Sequence, residues 1–292
     1  KGTYELGSVF KTFTVASGIN EGLIEPYTEF LGSKKSISCG KNHKIEEYDN
    51  KIPADLTVEQ ILIKSGNVGS VRIVRKVGVK KHKSFLKTIG ILDKIDFDIE
   101  EVGRPMSIDW EESCKIETIA FGHGITTTIL QLAKGYSIIA NGGYKIKPTL
   151  IKKNLDTTDT RKKVLKNDVS KKINSMLRKV VSEGTAKLVN VEGYQVGGKT
   201  GTAEQVINST YSNNKINTIA SVFPTENPKY VLVVMLESTK NNKEYVYTYR
   251  DGSGFKLKGS PRNTAGWTSV EAAGKIIDKI GPILATKYIE VN

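Results

Sequence analysis

Three short strings in the 292-residue chain hold groups suited to nucleophilic catalysis by a serine: Ser8-Val9-Phe10-Lys11, Ser65-Gly66-Asn67 and Lys199-Thr200-Gly201-Thr202. A serine hydroxyl is a weak nucleophile at neutral pH and needs a base beside it. Lys11 lies three residues after Ser8, close to one helical turn, so the two share a helix face. The start of a helix also favours the negative charge that builds on an attacking alkoxide. Lys199-Thr200-Gly201 follows Gly197-Gly198 in a strand pattern, where small residues let another backbone or a ligand come close. Singly, the strings carry little information. Ser-x-x-Lys occurs five times, beginning at Ser8, Ser38, Ser84, Ser212 and Ser253, and Ser-x-Asn occurs twice, at Ser65 and Ser212. A helix cap, an ordinary turn and an edge-strand turn would account for them one at a time. Only the Ser8 copy opens an apolar helix, and Lys-Thr-Gly occurs once.

The elements that must position these groups follow from hydrophobic periodicity. Phe10, Phe13, Val15, Ala16 and Ile19 predict a mostly buried helix from Ser8 that stops near Asn20-Glu21-Gly22. Residues 32–51 are polar and read as an exposed loop or hairpin. Thr57 and Gln60 form a capping-box pattern for a second helix that ends at Ser65-Gly66-Asn67, and a third helix spans Val68 to Val77. Residues 93–114 lack a sustained period and read as a long loop. Helices follow from Thr127 to Ile139, closed by Asn141-Gly142-Gly143, and from Asp168 to the stop at Gly184. The period then changes. Residues 194–206, 216–223 and 230–237 read as strands, the last two joined through Pro224 to Pro228. Residues 240–263 read as a loop, and Thr268 to Glu271 opens a final amphipathic helix through Ile280. Helices, then consecutive strands, then a helix predict an α+β unit around an antiparallel sheet, with no internal repeat.

Composition excludes several classes. With 38% hydrophobic and 26% charged residues, the chain is neither collagen-like, disordered nor coiled coil. Its longest apolar run, Val231 to Leu236, is far short of the roughly 20 residues of a spanning helix. The net charge of +13 raises nucleic-acid binding as a possibility. Only seven of the 44 basic residues are Arg, however, and the lysines are scattered, which favours a solvated basic surface. Cys39, Cys114, His43, His82 and His123 are too dispersed for a disulfide framework or a zinc cluster.

Order and spacing turn three weak strings into one strong pattern: Ser-x-Asn follows the nucleophile candidate by 57 residues, and Lys-Thr-Gly follows that by 134. The chain resembles the transpeptidase domain of class B penicillin-binding proteins, most of all the division-specific D,D-transpeptidases. The resemblance extends through Tyr4 to Thr14, Ala120-Phe121-Gly122-His123-Gly124-Ile125, Leu130-Gln131-Leu132-Ala133, Ala140-Asn141-Gly142-Gly143, Gly197 to Glu204 and Thr264-Ala265-Gly266-Trp267. It implies a serine β-lactamase/transpeptidase-like α+β fold, one domain over residues 1–292, lacking the N-terminal strand hairpin, membrane anchor and pedestal domain. Only three sheet strands are then expected, with residues 230–237 as an unpaired apolar edge.

The resemblance also implies roles. Ser8 would be the nucleophile and Lys11 its base, kept neutral with the help of a neighbouring cation such as Lys199. Ser65 would relay the proton, and Asn67 would orient the substrate amide. Lys199, Thr200, Gly201 and Thr202 would face the substrate carboxylate, and the backbone N–H groups of Ser8 and Thr202 would form the oxyanion hole. The implied partners are peptidoglycan stem peptides, β-lactam antibiotics, a membrane glycan polymerase and other division proteins, at the periplasmic face of the inner membrane. No cofactor, metal or nucleic acid is implied. A serine β-lactamase remains an alternative, but Glu100 and Glu101 are followed four residues later by Arg104 and Pro105 rather than by the Asn of the class A hydrolytic motif. An elongation-specific transpeptidase and a non-enzymatic penicillin sensor are further alternatives. His123 reads as part of a Gly-His-Gly loop near the site. Cys39 and Cys114 could pair in an oxidising periplasm, but two free thiols are expected.

Overall fold

The computed structural model describes residues 2–31, 34–40, 43–152, 162–166, 168–207 and 210–289. A 3-10 turn, Gly7–Phe10, leads into helix α1, Lys11–Asn20. Every residue from Lys11 to Ile19 is buried, which marks α1 as the central helix of the core. Two of its threonines are satisfied internally: Thr12 Oγ1 shares a 2.8 Å hydrogen bond with Tyr136 Oη, and Thr14 Oγ1 donates to the Ala120 carbonyl at 2.8 Å, while the buried Ser17 hydroxyl has no partner among the described residues.

Short strands follow: β1 (Glu29–Phe30), β2 (Ser36–Cys39), β3 (His43–Glu46) and β4 (Leu56–Thr57). β2 and β3 form the hairpin read from the polar 32–51 segment, although Gly32, Ser33, Lys41 and Asn42 lie outside the described residues. Helices α2 (Val58–Lys64) and α3 (Asn67–Val77) come next, and the Thr57–Gln60 capping box forms as expected. Two helices that periodicity did not reveal, α4 (Val79–Thr88) and α5 (Ser113–Ile119), flank a stretch without regular structure at 93–112. Helix α6 (Ile129–Ala140) starts with a second capping box, Thr128 with Gln131, and α7 (Val169–Ser182) packs against the sheet.

The main sheet has the order β5 (Gly197–Ile207), β6 (Thr210–Phe223), β7 (Tyr230–Glu237), all antiparallel. Among the described residues it has three strands, with β7 outermost and half-buried from Tyr230 to Leu236. β6 starts six residues earlier than its apolar run, because the polar arm at 210–215 continues the ladder with β5. The segment 240–263, read as loop, contains a small ladder of β8 (Val246–Thr248) with β9 (Lys256–Lys258). Helix α8 (Ser269–Ile289) closes the description and runs on through Pro282. No helix among the described residues is long and apolar enough to cross a membrane.

The cysteines differ from expectation. Cys39 on β2 and Cys114 on α5 form a disulfide with their Cα atoms 5.0 Å apart, so neither is a free thiol. The hairpin folds back over α3 and meets α5 there, a contact between residues 75 apart in sequence that spacing alone does not show.

Candidate active site

The three strings converge. Gly7 takes a left-handed φ of +61°, which swings the chain into the 3-10 turn and places Ser8, half-buried, at the mouth of a cleft. Ser65 closes α2 in the left-handed region (φ 60°, ψ 43°), and Gly66 then starts α3 with Asn67 as its first residue. This elbow between two helices aims both Ser65 and Asn67 at the buried end of Lys11. Lys11 Nζ donates to the Ser65 carbonyl at 2.5 Å, to Ser65 Oγ at 3.2 Å and to Asn67 Oδ1 at 2.7 Å. Lys199, on β5, donates to the same Ser65 Oγ at 2.8 Å and to the Thr200 carbonyl at 3.1 Å.

Glycines bring β5 against the turn that carries Ser8. A Cβ on Gly201 would sit 2.1 Å from the Leu6 carbonyl oxygen, so no other residue fits there without moving the strand. Gly122 is equally constrained, 2.1 Å from the Gly7 carbonyl oxygen, which fixes the Phe121–Gly124 loop beside Ser8. Thr202 Oγ1 donates to Asn217 Oδ1 at 2.9 Å and accepts from the Ala265 amide at 3.0 Å, in a network that runs on to Thr239 and Asn263. Thr200 Oγ1 shares a 2.6 Å hydrogen bond with Thr185 Oγ1.

Burial disfavours the charged form of the two lysines, both 0% exposed. Desolvation lowers Lys11 to about 7, opposed only by the carboxylate of Glu47. Lys199 also falls well below the ordinary lysine range, through burial first and the charge of Lys11 second. Burial is the first cause for both lysines, and the like-charge repulsion between them, which is mutual, acts in the same direction. Lys199 is fully buried beneath the cleft and is not among the residues that line it.

The cleft encloses about 880 Å³, and its wall includes Ser8, Ser65, Asn67, Thr185, Thr200 and Thr202. Lys187, Lys215 and Arg262 also line it; Lys215 is paired with Glu204 and Arg262 with Asp49. His123 lines the cleft as the Gly-His-Gly reading expected. Its Nδ1 lies 3.2 Å from Glu5 Oε2, its ring stacks on Tyr211 at 4.9 Å, and the hydrogen bond to Glu5 holds it above the ordinary histidine value against burial. Among the described residues no group of three or more His, Cys, Asp or Glu is arranged to hold a metal ion.

The family profile described as "Penicillin binding protein transpeptidase domain" matches residues 1–251. The chain is 26% identical over 97% of its length to the "Probable peptidoglycan D,D-transpeptidase FtsI" of Caulobacter vibrioides, covering 47% of that protein. It is 28% identical over 83% of its length to "Stage V sporulation protein D" of Bacillus subtilis, covering 40% of it. The chain thus spans about half or less of the length of these relatives. In fold it is similar to the transpeptidase domain of penicillin-binding protein 3 from Burkholderia pseudomallei, with a TM-score of 0.81 and 22% identity over 97% of this chain and 80% of that one. With its three motifs meeting around one buried lysine pair, the chain belongs to the penicillin-binding protein transpeptidase family, on its class B branch.

Proposed function

We propose that the chain is the acyl-transfer domain, over residues 1–292, of a peptidoglycan D,D-transpeptidase acting in septal wall synthesis. Ser8 Oγ attacks the penultimate D-Ala carbonyl of a stem peptide as Lys11, neutral at that moment, takes the hydroxyl proton. The Ser8 and Thr202 amides stabilise the oxyanion. Ser65 then gives its hydroxyl proton to the departing amine of the terminal D-Ala as the peptide bond breaks and takes in exchange the proton held by Lys11. Its Oγ accepts from two lysine amines, which leaves its own O–H free to point at the leaving group in the cleft that Ser65 lines. The Asn67 amide, with one lone pair and one N–H still uncommitted, orients the peptide. An amine from a second stem peptide attacks the acyl-enzyme, forms the cross-link and returns the proton to the Ser8 oxygen. A penicillin acylates the same oxygen.

The observation that carries this reading is the meeting of Lys11 and Lys199 on Ser65 Oγ, with Lys11 held near 7. Glu100 and Glu101 are exposed and are not among the residues lining the cleft, so they do not support a hydrolytic alternative. The full-length protein would work at the periplasmic face of the inner membrane with a glycan polymerase and other division proteins as partners. The test is incubation of full-length protein with a synthetic stem peptide ending in D-Ala-D-Ala. D-alanine release and peptide dimers that vanish in Ser8→Ala support the reading; release unchanged in Ser8→Ala defeats it.

A further inference from the structure

The turn that carries Ser65 and Asn67 is held from outside itself. Gly66 is the N-cap of α3 and has no side chain to receive the first helical amides, and α3 has no acidic residue in its first turn. Helix-start amides removed from water need an acceptor. Glu47 supplies it from the segment just after β3. Its Oε2 accepts from the Asn67 amide at 2.6 Å and its Oε1 from the Val68 amide at 3.1 Å. The carboxylate also meets the positive end of the helix dipole. The neighbouring Glu46 carbonyl accepts from Asn67 Nδ2 at 3.0 Å, which leaves Asn67 Oδ1 facing Lys11 Nζ.

The segment bearing Glu47 is anchored in turn. Cys39–Cys114 ties the β2–β3 hairpin to α5. Arg75 on α3 donates to the Ser38 carbonyl at 3.1 Å and to Glu117 on α5 at 2.6 Å. Hairpin, α3 and α5 therefore form one frame that sets where the Glu47 carboxylate lies.

We propose that Glu47 is a positioning residue for acyl transfer, clamping the start of α3 so that Ser65 and Asn67 meet Lys11 in register. The inference rests on the acyl-transfer reading above. The Glu47 charge also favours the ammonium form of Lys11 against burial, and its field reaches Arg72 and Tyr48. Asp49 and Arg262 act on Tyr48 in opposite directions, and Lys199 feels Lys11.

The test is the rate of acylation of full-length protein by a fluorescent penicillin across pH, with thermal unfolding of each variant alongside. Glu47→Ala is expected to lower the plateau rate by about tenfold or more, because small misplacements of catalytic groups are costly. Glu47→Gln, which keeps one acceptor oxygen but no charge, is expected to move the acid limb of the profile to lower pH, since the ammonium form of Lys11 loses its support. Glu47→Asp is expected to restore part of the rate. A Glu47→Ala plateau within about twofold of wild type, with the Glu47→Gln limb unmoved in folded protein, would overturn the proposal. Should Glu47→Ala fail to fold, the Glu47→Gln limb decides alone. If wild type does not acylate, or Ser8→Ala labels equally, the acyl-transfer reading fails instead. The Lys11 titration, read by NMR of 13Cε-labelled lysine and assigned with Lys11→Ala, then tests Glu47 on its own: a lower midpoint in Glu47→Gln supports its contact with the motif, and an unchanged one overturns it.

Discussion

Lys11 and Lys199 place their ammonium nitrogens on one oxygen, Ser65 Oγ, at 3.2 and 2.8 Å. Two like charges in a dry site cannot both persist cheaply, so the pair favours states in which at least one amine is neutral. Burial, partly offset by the Glu47 carboxylate, brings Lys11 to about 7. A lysine that is half neutral near physiological pH is poised to accept a proton from Ser8 and to give it back.

Acylation by a penicillin is therefore expected to rise with pH through about 7 and then level off, because only the neutral Lys11 amine accepts the Ser8 proton. Stopped-flow labelling between mildly acidic and mildly basic buffers checks it. A profile flat across that range would show that Lys11 does not titrate in the step.

Gly201→Ala is expected to reduce acylation by about a hundredfold. The added methyl would meet the Leu6 carbonyl oxygen at 2.1 Å and push β5 away from the nucleophile turn. Overpacking of this kind also destabilises, by about 1–3 kcal/mol. Labelling at matched folded fraction separates the two effects, and an unaltered rate would mean that the approach of β5 to Leu6 does not matter for catalysis.

The Cys39–Cys114 bond joins residues 75 apart, and loop-closure entropy assigns such a crosslink about 4.5 kcal/mol of stability as an upper figure. Both thiols are expected to resist alkylation in unfolded protein until a reductant is added. The Cys39→Ser, Cys114→Ser double variant is expected to unfold at lower urea. Alkylation of both thiols without reductant would contradict the pairing.

His82, 1% exposed and with neither ring nitrogen hydrogen-bonded, is held down to about 4 by burial. Its folded value lies below the unfolded one of about 6.5, so its contribution is fully present above that pH and is lost as pH falls from there to about 4. The loss amounts to about 3 kcal/mol. Urea unfolding across this window is expected to show a steeper decline in wild type than in His82→Leu, and parallel curves would refute the assignment.

What the chain showed in sequence form and what it withheld have physical causes. Thr57 was readable as a helix start because a capping box is a local device written in four adjacent residues. The strand at 230–237 was readable because its apolar run is continuous. Helix α4 was not, since Lys80, Lys81, Lys83 and Lys87 dilute its apolar stripe to few positions. The β5–β6 arm at 210–215 is polar and exists by pairing, which sequence period does not record. Within the site, Ser8, Lys11, Ser65, Asn67 and Lys199 could be named from their strings. Glu47, Thr185 and Asn217 could not, because each acts by a contact across the fold. The full burial of Lys199 was likewise invisible until β5 lay against the nucleophile turn.

The most direct test of the central claim is the position of the covalent adduct after full-length protein reacts with a penicillin, mapped by mass spectrometry of tryptic peptides. The account predicts one penicilloyl group on Ser8, in the peptide that ends at Lys11, and none in Ser8→Ala. An adduct on another serine, or equal modification of Ser8→Ala, would contradict it.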